Sequence, residues 1–409
     1  MIVLSSDTAV KEVLDKRSGN YSDRPDMFIG QKVASGDLRL VVMRYGDNWR
    51  MIHRMVHNIL NIKAAVTYVP YQDLENKILL KDLLETPSDF LQHIRRFTYS
   101  LSTQMIYGYR CTDNHDPKLL QLFEPCFCND IYRAQTKEGF SDDAAAYISG
   151  SLLEAGSDTT AGTLYGFIQA ILVWPEVQKK AQEEIDCVIG SARLPTIDDY
   201  QDLPYIRCCI KESLRWMPTV FLGVPHAAVK DNVYMGYNIP KGATIINNVW
   251  AIHMDEERSP NPRVFDPERF KDDHTTLYQS AMGDTKKRDN FVFGAGRRLC
   301  QGIHIAERSL FLGMSRLLWA FDFSPAVDAQ GNPVKYDIEN LVGGITVQPS
   351  DYPARIEPRS AEKVAIIKDA AEECKQLLNP VTMQWKQVPE GMAFSTWMPD
   401  SNYENFDNI

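Results

Sequence analysis

Ten residues near the end of the chain, Phe293-Gly294-Ala295-Gly296-Arg297-Arg298-Leu299-Cys300-Gln301-Gly302, carry its sharpest chemical signal. A cysteine set just before an apolar-periodic helix sits where free N–H groups and the positive dipole end favour a thiolate, the form that binds metals. Gly296 and Gly302 permit tight turns and let a flat ligand approach the backbone, and Arg298, two residues from the sulfur, is suited to a carboxylate. The pattern F-x-x-G-x-R-x-C-x-G fixes five positions, and with near-uniform residue usage a chance match is on the order of one in ten thousand. The other seven cysteines, at 111, 126, 128, 187, 208, 209 and 374, form no paired C-x-x-C zinc pattern and read as reduced, small core hydrophobes.

Three further motifs precede this loop. Ala155-Gly156-Ser157-Asp158-Thr159-Thr160 sets an acid beside an alcohol, a pair able to hydrogen-bond bound oxygen and relay protons to it. Taken alone, the hexapeptide has a plainer reading, a hydroxyl bonded back to its own helix carbonyl. Glu212-Ser213-Leu214-Arg215 places opposite charges at i and i+3 on one helix face, an arrangement worth little when exposed. Pro267-Glu268-Arg269-Phe270 comes next. In this order the four motifs resemble the cytochromes P450, and Gly236-Tyr237-Asn238-Ile239-Pro240-Lys241-Gly242 and Asn248-Val249-Trp250-Ala251 are similar to fungal microsomal members. The resemblance spans roughly residues 1–357.

That resemblance implies heme b (iron protoporphyrin IX) with Cys300 as axial iron ligand, whose thiolate favours O–O cleavage. It implies dioxygen activation by Asp158 and Thr159, and a buried structural cluster of Glu212, Arg215 and Arg269 behind the cysteine loop. For the heme pocket it implies Phe293, Gly296, Arg298 and Gly302 of the loop, with Trp49, His53 and His226 as donors to the propionates. The family usually has Arg where His53 stands, so His226 is the stronger expectation of the two. Residues 148–152, 219–224 and 342–345 would line a pocket for a small apolar substrate. Electrons would come from a separate NADPH-cytochrome P450 reductase, since the chain has no GxGxxG nucleotide-binding motif, and Arg297 is a candidate docking charge for it.

Elements of the right kind surround these residues. Apolar positions 49, 52, 55, 56, 59 and 60 predict a helix over 47–62. Ser141, Asp142 and Asp143 open a helix running to Trp174, 34 residues that would reach about 51 Å. Its middle, with two glycines, two threonines and an acid, weakens it where the resemblance puts the oxygen chemistry. Helices are expected over 175–189 and 203–216, then a small hairpin over 233–247, a coil over 258–270 and a helix over 303–320. Residues 1–140 read as short helical segments joined by polar turns. The fold class is mainly α with a small β component, an incomplete P450 fold: a partial heme-thiolate domain over 1–360 and an acidic C-terminal tail over 361–409. From Glu362 that tail has 4 basic and 8 acidic residues and opens with an amphipathic helical pattern.

The 409 residues carry net charge −10 (44 basic, 54 acidic) with no Lys/Arg-dense run, which speaks against a nucleic-acid binder. No segment approaches 18 consecutive apolar residues, and the first residues lack a signal-peptide profile. Membrane association is thus implied by the resemblance, without an anchor in the chain. Three departures from the family stand out: the chain starts where the second helix would lie, only residues 126–140 separate a family-like 119–125 from the long helix, and the acidic tail is long. The expected function is a monooxygenase inserting one oxygen atom from dioxygen into an apolar small molecule, in fungal secondary metabolism. The alternatives are a heme-thiolate isomerase or dehydratase, against which the intact Asp158-Thr159 argues, and a non-catalytic remnant.

Overall fold

The computed structural model describes residues 1–112, 116, 141–285 and 288–390. Eight long helices dominate: α1 (Asp47–Leu60), α2 (Val69–Glu85), α3 (Phe90–Tyr107), α4 (Asp142–Val173), α5 (Pro175–Val188), α6 (Pro204–Trp216), α7 (Ile303–Ala320) and α8 (Ala361–Leu377). The strands are short: β1 (Ile2–Leu4), β2 (His226–Ala227), β3 (Asn232–Tyr234), β4 (Tyr237–Ile239), β5 (Thr244–Asn247), β6 (Phe321–Pro325), β7 (Leu341–Gly343), β8 (Val347–Pro349) and β9 (Ala354–Pro358). The chain is therefore mainly α with a minor β part. Among the described residues no helix is long and apolar enough to cross a membrane.

The central helix α4 begins where its cap predicts, with the Ser141 hydroxyl accepting from the Ala144 N–H at 3.2 Å. It ends before Pro175, which opens α5. As expected, α4 runs unbroken through the low-propensity residues 155–162. Its hydroxyls satisfy themselves on the preceding turn, Ser157 on the Leu153 carbonyl and Thr159 on that of Ala155, both at 2.8 Å. Its glycines serve close packing. A Cβ at Gly156 would stand 2.6 Å from Ser102 Oγ of α3, and one at Gly166 would collide with Met217 beyond α6. The propensity lost inside the helix lets α3 lie tightly along it.

α7 packs against α2, α4, α5 and α6, burying Leu79, Leu80, Leu164, Phe167, Leu310 and Leu317 in one apolar core. Residues 1–140 differ from the expectation of short pieces. Residues 2–4 form a strand parallel to β5, pairing Val3 with Ile246, while α2 and α3 are 17 and 18 residues long. Three residues are too few to show a period of two, and their partner lies some 240 positions away. The predicted hairpin is β3–β4, turning at Met235 and Gly236, both with positive φ; residues 244–247 belong instead to the β1–β5–β2 sheet.

Candidate functional site

A cavity of about 280 Å³ opens between α1, α3, α4 and the loop leading into α7. Of the residues expected at a heme pocket, Trp49, His53, Thr159, Phe293, Arg298, Cys300 and Gly302 line it. The cysteine loop is shaped from outside. Gly294 and Gly296 take φ of +76° and +61°, a Cβ at Gly296 would collide with the Leu14 carbonyl, and the Gly296 N–H donates to Asp15 at 2.6 Å. Gly296 thus builds the loop without lining the cavity. The Cys300 N–H donates to the Phe293 carbonyl at 2.9 Å, and the cysteine's exposed surface lines the cavity. Burial pushes its thiol up, and only the Gly302 N–H pulls the other way. A metal cation against the sulfur would supply the charge that offsets burial.

Two arginines face the cavity, Arg24 buried and Arg298 partly buried. Arg24 donates to the carbonyls of Val41, Val224 and Pro225 at 2.8–2.9 Å. Burial first, then the Arg298 charge, pushes it down to about 9. Arg298 donates to the Ser22 and Met43 carbonyls at 2.9 and 2.7 Å, and its guanidinium lies 4.1 Å from the Trp49 ring centroid. Burial pushes it down to about 10. Both line the cavity, while the neighbouring Asp23 is engaged by Arg44 at 2.7 Å. Two like charges bonded to neutral carbonyls in one wall fit an anionic ligand such as a pair of propionates.

The histidines fare differently from expectation. His226 stands outside the lining. Its Nδ1 donates to the Tyr21 carbonyl at 2.6 Å, and burial holds it neutral, its pKa pushed down to about 3. Arg24, bonded to the carbonyl of the adjacent Pro225, lines the cavity instead. His53 lines the cavity with its ring 4.5 Å from that of Trp49, but burial lowers its pKa, leaving a neutral donor. Arg24 carries no signal in the sequence because it sits in Ser22-Asp23-Arg24-Pro25, far from every motif; only the fold brings that turn to the cavity.

Thr159 reaches the cavity but Asp158 does not. The Asp158 carboxylate is exposed and accepts from Tyr99 of α3 at 3.2 Å. Glu212 is fully buried, 2.6 Å from Arg215 and 3.3 Å from Arg269, and also accepts from the Asp266 N–H at 2.8 Å. A residue not singled out from sequence, His253, ties this cluster to the cysteine loop. Its Nδ1 donates to the Arg215 carbonyl at 3.1 Å and its Nε2 accepts from the Phe291 N–H at 2.8 Å. Of the expected substrate segments, Ser151 and Leu152 line the cavity, whereas residues 219–224 and 342–345 do not. Arg297 is exposed beside the loop and donates to the Tyr45 hydroxyl at 2.7 Å. The short segment 126–140 before the long helix, and the end of the tail from 391, lie outside the described residues.

A family model described as cytochrome P450 matches the chain in two overlapping stretches, residues 1–127 and 124–352. The chain belongs to the cytochrome P450 family. Among curated relatives of this P450, the cytochrome P450 monooxygenase virE of Hypocrea virens is 45% identical, covering 100% of this chain and 86% of its own. The cytochrome P450 monooxygenase fogE of Aspergillus ruber is 46% identical over 96% of this chain and 85% of its own. The fold is shared with a zebra fish cytochrome P450 solved with progesterone, at TM-score 0.73 and 22% identity over 87% of this chain and 93% of that one. The family is one of oxidoreductases, and membership implies heme.

Proposed function

We propose that this P450 is a heme-thiolate monooxygenase that inserts one atom of dioxygen into an apolar small molecule of fungal secondary metabolism, drawing electrons from NADPH through a separate reductase. The observation that carries the reading is the convergence, in one cavity, of the Cys300 sulfur with the buried guanidinium of Arg24 and the partly buried one of Arg298. Bound to that sulfur, heme supplies the capacity to bind dioxygen and cleave its O–O bond.

The chain's own residues would do the rest. Cys300 would hold the heme iron through its sulfur, with the Gly302 N–H directed at that sulfur to moderate the thiolate. Arg24 and Arg298 would bind and orient the two propionates, with Trp49 supporting Arg298 from below. Thr159 donates its one hydroxyl proton to the Ala155 carbonyl, so its oxygen would accept a hydrogen bond at the cavity, and turning off that carbonyl would let it hand a proton on. Asp158, outside the lining and open to solvent, would feed that hydroxyl from the water side rather than act in the cavity. Leu40, Val41, Leu152 and Ala155 give the apolar wall that favours an apolar substrate and excludes water.

Labelled dioxygen tests this directly. With reductase and NADPH, the product should carry one labelled oxygen atom per turnover. Turnover without NADPH and without label would identify an isomerase or dehydratase and refute the reading.

A further inference from the structure

The family model ends at residue 352, yet the virE relative aligns with the whole chain. The segment beyond the matched core is tightly attached to it. α8 lies along α2, and the chain then folds back so that Leu378 pairs with Trp385 and the Lys386 N–H donates to the Leu377 carbonyl at 3.0 Å. Gln384, nearly fully buried, grips the backbone just beyond α3 with both ends of its amide. It accepts from the Arg110 N–H at 2.6 Å and donates to the Arg110 carbonyl at 3.0 Å. Trp385, also buried, packs on Tyr71 with ring centroids 5.4 Å apart and donates Nε1–H to Gln104 Oε1 of α3 at 2.6 Å. The other end of that Gln104 amide donates to Glu75 at 2.8 Å, and Glu75 is itself buried between Arg96 and Arg110.

On its inner side this assembly meets the cavity. Cys374, Leu378 and Trp385 share one apolar cluster with Tyr68, Leu101, Met105 and Ile305, and all four of the latter line the cavity. We infer that residues 361–386 are the outer wall of the heme cavity, with Gln384 and Trp385 as positioning residues that fix α3 and hold its cavity-facing side chains in place. The chemistry is a directional one. A buried amide with both ends bonded and a buried indole N–H tolerate no slippage of α3, because any shift leaves polar groups unpaired in an apolar cluster. The inference rests on the heme reading for one of its two readouts only.

Gln384→Ala and Trp385→Ala in the full chain test it, against two controls: Val381→Ala on the same loop, 88% exposed, and Leu194→Ala, a core truncation outside the cavity lining. Hydrogen exchange of the protein as purified should speed up roughly tenfold over residues 104–111 in both test variants, with the Arg110 amide foremost in Gln384→Ala. Heme transfer to apomyoglobin should be about tenfold faster in both, and faster than in Leu194→Ala despite the stability that control loses. Trp385→Phe keeps an aromatic ring beside Tyr71 while removing the N–H, so it should show the same exchange signature if the alanine variant does not fold. Unchanged exchange over 104–111 would overturn the inference, as would heme transfer no faster than in Leu194→Ala. A wild-type protein that takes up no heme would defeat the proposed function, while the exchange result would still decide whether the wall is built as described.

Discussion

A neutral histidine and a buried arginine do different work on a carboxylate: one offers a single weak donor, the other a permanent charge with a fork of donors. That difference decides between His226 and Arg24. Arg24→Met should weaken heme affinity about tenfold or more, read by titrating the heme-stripped protein, whereas His226→Gln should change it little. Equal losses in the two would show that Arg24 does not hold the propionates. Thr159 poses a different question, since its hydroxyl already has a partner in the Ala155 carbonyl. Thr159→Ala should leave heme bound yet raise peroxide release per NADPH consumed several-fold, by about 1 kcal/mol of lost proton control; unchanged coupling would remove Thr159 from the proton path. At this scale the sequence was legible wherever chemistry is local. Cys300, Arg298 and Thr159 are marked by their immediate neighbours. Arg24 is marked by nothing within ten residues, because its meaning comes from Val41, Val224 and the cavity.

Elements hold the site together through buried polar ties that cross from one helix to the next loop. His253 is the clearest, joining the α6 cluster to the strand-like run before the cysteine loop. Like His226, it is held neutral by burial, each with a pKa pushed down to about 3. In the unfolded chain both would titrate near 6.5. Between about pH 6.5 and 3 the unfolded chain binds protons that the folded one refuses, so stability is complete above this window and falls as pH is lowered through it. Each histidine contributes a slope of up to about 1.4 kcal/mol per pH unit. Urea midpoints should therefore drop from pH 7.5 to 5.5, and His226→Gln should flatten that drop; a variant as steep as wild type would contradict the assignment. The helices themselves were readable from caps and periods, as Ser141 and Pro175 show at the two ends of α4. The purpose of its glycines was not, because the partners they make room for, Ser102 and Met217, come from other elements.

Across the whole molecule, the order of motifs along the chain sufficed to indicate a P450, and the mainly helical architecture agrees. What order could not convey is which helices wall the cavity. α3 carries no motif, yet supplies Thr98, Leu101, Ser102 and Met105 to the lining. The described part of the tail, read as an acidic appendage, packs against α2 through α8, and Cys374, Leu378 and Trp385 matter by what they cover rather than by their number. Every part of this account converges on one sulfur. The reduced, carbon-monoxide-bound difference spectrum of the purified protein reads its bond to iron most directly. A thiolate-type Soret band in wild type, lost in Cys300→Ala, is the predicted result; an imidazole-type band, or a band that survives the substitution, would contradict it.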